Sequence, residues 1–133
     1  MRELVLAFLS WISAETGLTM PPPPLVELVT REEMLERASG ISDVRGLYVR
    51  GAATVYLRND WNAADLRSRA TLVHELVHHM QFFHDLPSAC PAEREQLAYA
   101  LTLKCLREHG VADPYALLNI DELTVIFLST CFE

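Results

Sequence analysis

The chain has 133 residues, half of them apolar and 22% charged, which suits a single folded domain over 1–133 with its own hydrophobic core and excludes a disordered chain. Eighteen acidic against eleven basic side chains give a net charge of −7, which argues against nucleic acid as a partner, because that binding rests on neutralising phosphates. No apolar run approaches the roughly 18 residues of a spanning helix, so no membrane partner is expected either.

Leu4, Val5, Phe8, Leu9 and Ile12 fall on one helical face and predict an amphipathic helix over 3–16, within an N-terminal segment 1–20, ended by Gly17. Glu3 interrupts the basic start and the apolar run stops at Ser10, so the segment reads as an uncleaved helix of a cytoplasmic protein rather than an export signal. Pro21 to Pro24 predict a short polyproline connector. Leu25, Val26, Leu28 and Val29 read as a strand. Thr30 with Glu33 forms a capping box for a helix over 31–38, with Met34, Leu35 and Ala38 as its apolar face and Gly40 as its stop.

Residues 46–58 read as a β-hairpin, with Leu47 to Val49 and Thr54 to Leu57 as its arms. Asn59, Asp60 and Asn62 offer caps for the next helix. Helices are expected over 65–84, 91–109, 113–119 and 121–129, the third starting at Asp113-Pro114. Trp11 and Trp61 read as core or rim aromatics, with Trp61 against the first turn of the 65–84 helix. The expected class is α+β, a small β-sheet packed with about five or six helices.

Cys90, Cys105 and Cys131 make no C-x-x-C pair, and an odd count is a poor disulfide framework. Three thiols are the favoured reading, with Cys105 as a small core residue; a Cys90–Cys105 or Cys90–Cys131 bridge is the alternative in an oxidising compartment.

Residues 74–78 read His-Glu-Leu-Val-His, an HExxH pattern inside an apolar helical stretch. Residues four apart lie one turn apart on one face, so His74 and His78 can offer two imidazole nitrogens to one zinc ion at about 2 Å. Glu75 is turned about 100° from His74, which suits a base acting on water rather than a ligand. A shuffled chain of this composition yields HExxH roughly once in a hundred tries, so the pattern weighs against chance.

A catalytic zinc needs a third protein ligand, and Glu93 and Glu95 in the next helix are the candidates. They are two apart and cannot share a face. Small Ala98 after Glu95 permits close approach to the HExxH helix and favours Glu95, with Glu93 as the alternative.

His74-Glu75-Leu76-Val77-His78-His79, with Glu95-Gln-Leu-Ala98-Tyr99 beginning seventeen residues after His78, resembles the gluzincin metallopeptidases. The small size resembles their single-domain branch, the minigluzincins, and the phage-repressor-cleaving metallopeptidases. The resemblance spans residues 25–105, within a catalytic core over 25–109 that leads into C-terminal helices over 110–133. It implies a zincin-like fold with HExxH on the active-site helix, and one zinc per chain held by His74, His78 and Glu95. It implies Glu75 as general base in peptide hydrolysis, a peptide or protein as substrate, and an edge strand at Thr54–Leu57 that aligns it. The oxyanion donor usual in the family has no motif here; Tyr99, His109 and Tyr115 are the candidates. His84 stands at the third-histidine spacing of the metzincins, but Gln81 replaces their turn glycine, which argues against His84 as a ligand.

His79 points about 100° away from His78 and reads as exposed, with a role behind the ligands as the alternative. Asp60 and Asp85 read as loop or cap residues that could also orient a ligand histidine. The competing function is a zinc-binding regulatory or protein-interaction module with little turnover. Leu123, Val125, Ile126, Phe127 and Leu128 could then mediate self-association as a homo-oligomer, or simply close the core.

Overall fold

The computed structural model describes residues 1–41 and 43–132. Among them the chain is α+β, with six α-helices and one three-stranded mixed sheet. Helix α1 (Arg2–Thr16) buries Val5, Phe8, Leu9 and Ile12, the face its spacing predicts. It ends at Gly17, whose φ of 74° is the left-handed conformation that glycine adopts without a Cβ penalty. The prolines then lead into β1 (Leu25–Val29). Helix α2 (Arg31–Arg37) starts at Thr30, whose hydroxyl accepts from the Glu33 amide at 3.1 Å as the capping box requires.

Strands β2 (Gly46–Val49) and β3 (Thr54–Arg58) form the antiparallel hairpin, joined by a 3-10 turn at Arg50–Ala52. β1 pairs in parallel with β3, Leu25 opposite Thr54 and Val29 opposite Arg58, so the sheet order is β1-β3-β2. This corrects the expectation that Thr54–Leu57 is an edge strand. β3 is central, and all five of its residues are buried, as expected for a strand covered on both faces. The edges are β1 and β2. No local pattern announces this, because β1 reaches β3 only after the chain has passed through α2 and β2.

Helix α3 (Leu66–Phe83) carries the HExxH segment. Its cap is Asp65, which accepts from the Ser68 amide at 3.0 Å, rather than Asn59, Asp60 or Asn62. Trp61 locks the same turn by donating its indole N–H to the Ser68 carbonyl at 2.7 Å. Leu72, Val73, Leu76, Val77 and Met80 are fully buried, each contributing about 1.5–3 kcal/mol through the apolar surface it removes from water. They meet Val55 and Leu57 of β3, the apolar face of α1, and Ala98, Leu101 and Cys105 of α4 (Arg94–Glu108) in one core. A smaller cluster of Val29, Met34 and Tyr56 lies under α2; Leu35, expected on that face, is exposed.

A 3-10 turn, Pro91–Glu93, leads into α4, and α5 (Pro114–Leu118) and α6 (Glu122–Leu128) complete the chain. Cys90 and Cys131 are bonded, with Cα atoms 5.9 Å apart, and Cys105 is a buried free thiol. The expectation of three thiols is corrected for these two: α6 folds back to the start of α4, a proximity that a separation of 41 residues does not announce. α6 does not close the core either, since Leu123, Ile126, Phe127 and Leu128 are exposed. No helix among the described residues is long and apolar enough to cross a membrane.

Candidate metal centre

Helices α3 and α4 pack side by side, with Ala98 fully buried between them. That contact brings Glu95, in the first turn of α4, against both histidines. Glu95 Oε2 lies 2.8 Å from His74 Nε2, and Oε1 lies 3.0 Å from His78 Nε2. The ligand atoms of His74, His78 and Glu95 fall within 4.8 Å of one another, and among the described residues no other such group forms. A tetrahedral site with bonds near 2 Å separates its ligand atoms by about 3.3 Å, so this donor set fits zinc with small side-chain adjustments. Glu93 is not part of the group; its carboxylate lies 4.0 Å from Cys131 Sγ.

Electrostatics hold the carboxylate charged. Burial by itself would raise the Glu95 carboxyl, but hydrogen bonds to His74 and His78, and then their charges, outweigh it and hold the group far below the usual carboxylate range. Burial by itself would lower His78; the hydrogen bond to Glu95 and the charge of Glu75 outweigh it, and the net shift is upward.

His78 is oriented from behind. Its Nδ1–H donates to Gln81 Oε1 at 2.9 Å, which leaves Nε2 directed at the site. The Gln81 amide in turn donates to the Arg94 carbonyl at 3.0 Å, one residue before Glu95. His74 packs edge-on against Tyr99, with ring centroids 4.8 Å apart.

Glu75 is buried in the group's flank and borders two cavities. One, of about 240 Å³, is lined by residues including Arg45, Gly46, Arg67, Thr71, His74, Glu75 and Tyr99. The other, of about 210 Å³, is lined by Leu47, Tyr48, Glu75, His78, Phe82, Pro91, Arg94 and Glu95. Edge strand β2 thus runs past both, with Gly46 at one and Leu47 and Tyr48 at the other. Gly46 is required there: a Cβ at this position would lie 2.7 Å from Thr71 Cγ2 and 3.2 Å from Glu75 Cγ.

His79 is buried, which corrects its reading as exposed. Its Nε2–H donates to the Pro22 carbonyl at 2.7 Å, and Nδ1 accepts the Tyr48 hydroxyl at 2.8 Å. One buried ring therefore ties the proline connector and edge strand β2 to α3, and burial lowers its pKa. His84 is no ligand; it caps α3 and donates to the Thr19 carbonyl at 2.7 Å. Asp60 and Asp85 pair with Arg58 and Arg50, and neither orients a ligand histidine. Of the three oxyanion candidates only Tyr99 borders Glu75; His109 turns back on the Cys105 carbonyl at 2.7 Å, and Tyr115 lines neither cavity.

Gln81, Tyr48, Gly46, Arg45 and Arg67 are site residues that the motif did not expose. Gln81 had a usable signal, three residues after His78 on the same helix face. The other four come from the hairpin, from the residue before it or from the start of α3, and only packing brings them in.

No curated protein and no solved structure matches the chain. The family model described as a domain of unknown function, DUF6647, matches residues 1–133, and the chain belongs to that family.

Proposed function

We propose that the chain is a zinc-dependent metallopeptidase of the gluzincin type, with His74, His78 and Glu95 holding one zinc and Glu75 acting as general base. The observation that carries this reading is the position of Glu75. It comes directly after a ligand histidine, and it lines both cavities on either side of the ligand group. When bound, zinc supplies a Lewis acid that polarises a carbonyl oxygen and acidifies water. Glu75 takes the water proton on its carboxylate and returns it to the leaving amine. Glu95 and the two imidazoles complete the ligand set, and Gln81 keeps the His78 ring turned to it. Edge strand β2, rather than central β3, offers free backbone groups for an extended peptide across both cavities. Tyr99, which packs on His74 and lines the cavity at Glu75, is the candidate oxyanion donor of this reading.

The test is Glu75→Gln, assayed with an undirected peptide library beside the wild type. Zinc content stays near one per chain and hydrolysis falls roughly a hundred- to ten-thousandfold. A fully active variant removes the mechanism.

The interaction-module reading is favoured by one feature, the exposed Leu123, Ile126, Phe127 and Phe132 on and beside α6. It predicts zinc binding and self-association with no cleavage by the wild type. A cytoplasmic location stands against the Cys90–Cys131 bond, which persists in oxidising compartments. A thiol count on protein from its native source decides between them.

A further inference from the structure

The cavity bounded by Gly46, His74, Glu75 and Tyr99 is also lined by two arginines, Arg45 and Arg67. Arg50, Arg58 and Lys104 are ion-paired, with Asp85, Asp60 and Glu15. Among the described residues, neither Arg45 nor Arg67 forms an ion pair. The polar contact of the Arg67 side chain is a long one, 3.5 Å to the Leu118 carbonyl.

The nearby aspartates have hydrogen-bond or charge partners of their own, although the charge of Asp65 also acts on Arg67. Asp65 caps α3 through the Ser68 amide and hydroxyl. Asp43 lines this cavity but also borders the neighbouring one, with Arg31 and Arg58, and its charge acts on Arg58. Both side chains line the one cavity, and burial, then the charge of Arg45, lowers the Arg67 pKa against the opposing charge of Asp65. Two like charges held together in a half-buried cavity are relieved by an anion between them. Arginine is the side chain whose fork matches a carboxylate. At about 240 Å³ the cavity has room for one glutamate-sized side chain.

We propose that the Arg45–Arg67 cavity is a carboxylate-binding subsite that seats an acidic group of the substrate next to the bond at Glu75. The subsite deepens the peptidase reading and rests on it for the cleavage position, but the anion site is tested by binding alone. Its substrate class is a peptide with an acidic residue, or a free C-terminus, beside the bond that is cut.

Binding to the purified full chain is measured calorimetrically with three probes: acetyl-Ala-Ala-Glu-Ala-Ala-amide, the same peptide with Gln for Glu, and an acetylated alanine pentapeptide with a free C-terminus. The Glu peptide is expected to bind at least about tenfold more tightly than the Gln peptide, with a preference that shrinks as salt is added. Arg45→Gln with Arg67→Gln abolishes the preference; Arg45→Lys with Arg67→Lys, which keeps both charges without the fork, retains only part of it. Tight binding of the free C-terminus alone supports the subsite and names the terminal carboxylate as the group it takes. Equal affinity for Glu and Gln with no binding of the free C-terminus, no binding of any probe, or a preference that survives the double Gln variant overturns it. A retained Glu preference without cleavage of any peptide removes the peptidase reading and leaves the carboxylate site standing.

Discussion

Gln81 joins His78 to the helix that carries Glu95. Its Oε1 accepts from His78 Nδ1 at 2.9 Å, while its amide donates to the Arg94 carbonyl at 3.0 Å. One side chain therefore fixes both the ring orientation of His78, a candidate ligand, and the position of the helix turn that carries Glu95. Gln81→Leu is expected to weaken zinc binding roughly 10–100-fold with the fold intact. Gln81→Glu keeps an acceptor for Nδ1–H but sets an oxygen against the Arg94 carbonyl, so it should lose part of the affinity too. Competition against a chromophoric chelator reads both, and an unchanged affinity in the Leu variant removes the orienting role.

Zinc should stabilise the chain through Glu95 and not through Glu93. A ligand at about a hundred times its Kd adds about 2.7 kcal/mol to the folded state. For a domain of this size that is a rise in Tm of roughly 10 °C. The rise is expected in the wild type and in Glu93→Ala, to be absent in Glu95→Ala, and to be reversed by a chelator. Elemental analysis on untagged protein should give one zinc per chain for the first two and none for the third. A wild type that takes up no metal after zinc is added sinks the centre.

Gly46→Ala tests how closely β2 packs on Glu75, the proposed base. The new methyl would lie 2.7 Å from Thr71 Cγ2 and 3.2 Å from Glu75 Cγ, so something must shift. Overpacking of this kind costs about 1–3 kcal/mol. Because one of the displaced atoms belongs to Glu75, hydrolysis should fall more than stability does. Adding Thr71→Ser, which removes the methyl in the way, should restore most of the melting temperature. A Gly46→Ala chain as stable as the wild type would show that β2 is free to move away.

The native chain should present one slow thiol. Cys105 is buried, and burial, reinforced by the charge of Glu108, pushes its pKa up to about 11. At pH 8 about one molecule in a thousand then carries the reactive thiolate. Alkylation by iodoacetamide should be slow, rise about tenfold per pH unit towards pH 11, and become fast in denaturant. Without reductant, denatured protein should titrate as one thiol, and after reduction as three. Opening the Cys90–Cys131 loop, 41 residues apart, should cost about 3–4 kcal/mol on the chain-entropy account. Rapid labelling of the native protein at pH 8 would contradict the burial of Cys105.

The local elements were legible because their signals are local. The α1 face, the Thr30–Glu33 cap, the hairpin and the proline start of α5 each depend on residues within a turn or two. The HExxH spacing fixed which two histidines share a face, and small Ala98 indicated where α4 could come close enough for Glu95 to meet them. The local reading misplaced the exposure of His79 and the state of two cysteines, and the family resemblance misplaced the edge strand. Each of these depends on a partner far along the chain. His79 meets Pro22 across 57 residues, Cys90 meets Cys131 across 41, and β3 is central only because β1 returns to its free side.

By itself, then, the sequence determined the helices, the hairpin and the candidate ligands, because helical period and capping are set by neighbours along the chain. The tertiary structure decided which strand lies at the edge, that Glu75 stands between two cavities, and that Arg45 and Arg67 share one of them. Those relations are created when β1 slots beside β3 and α4 docks on α3. They arise from burying apolar surface between distant segments, and that burial has no period along the chain from which it could be read.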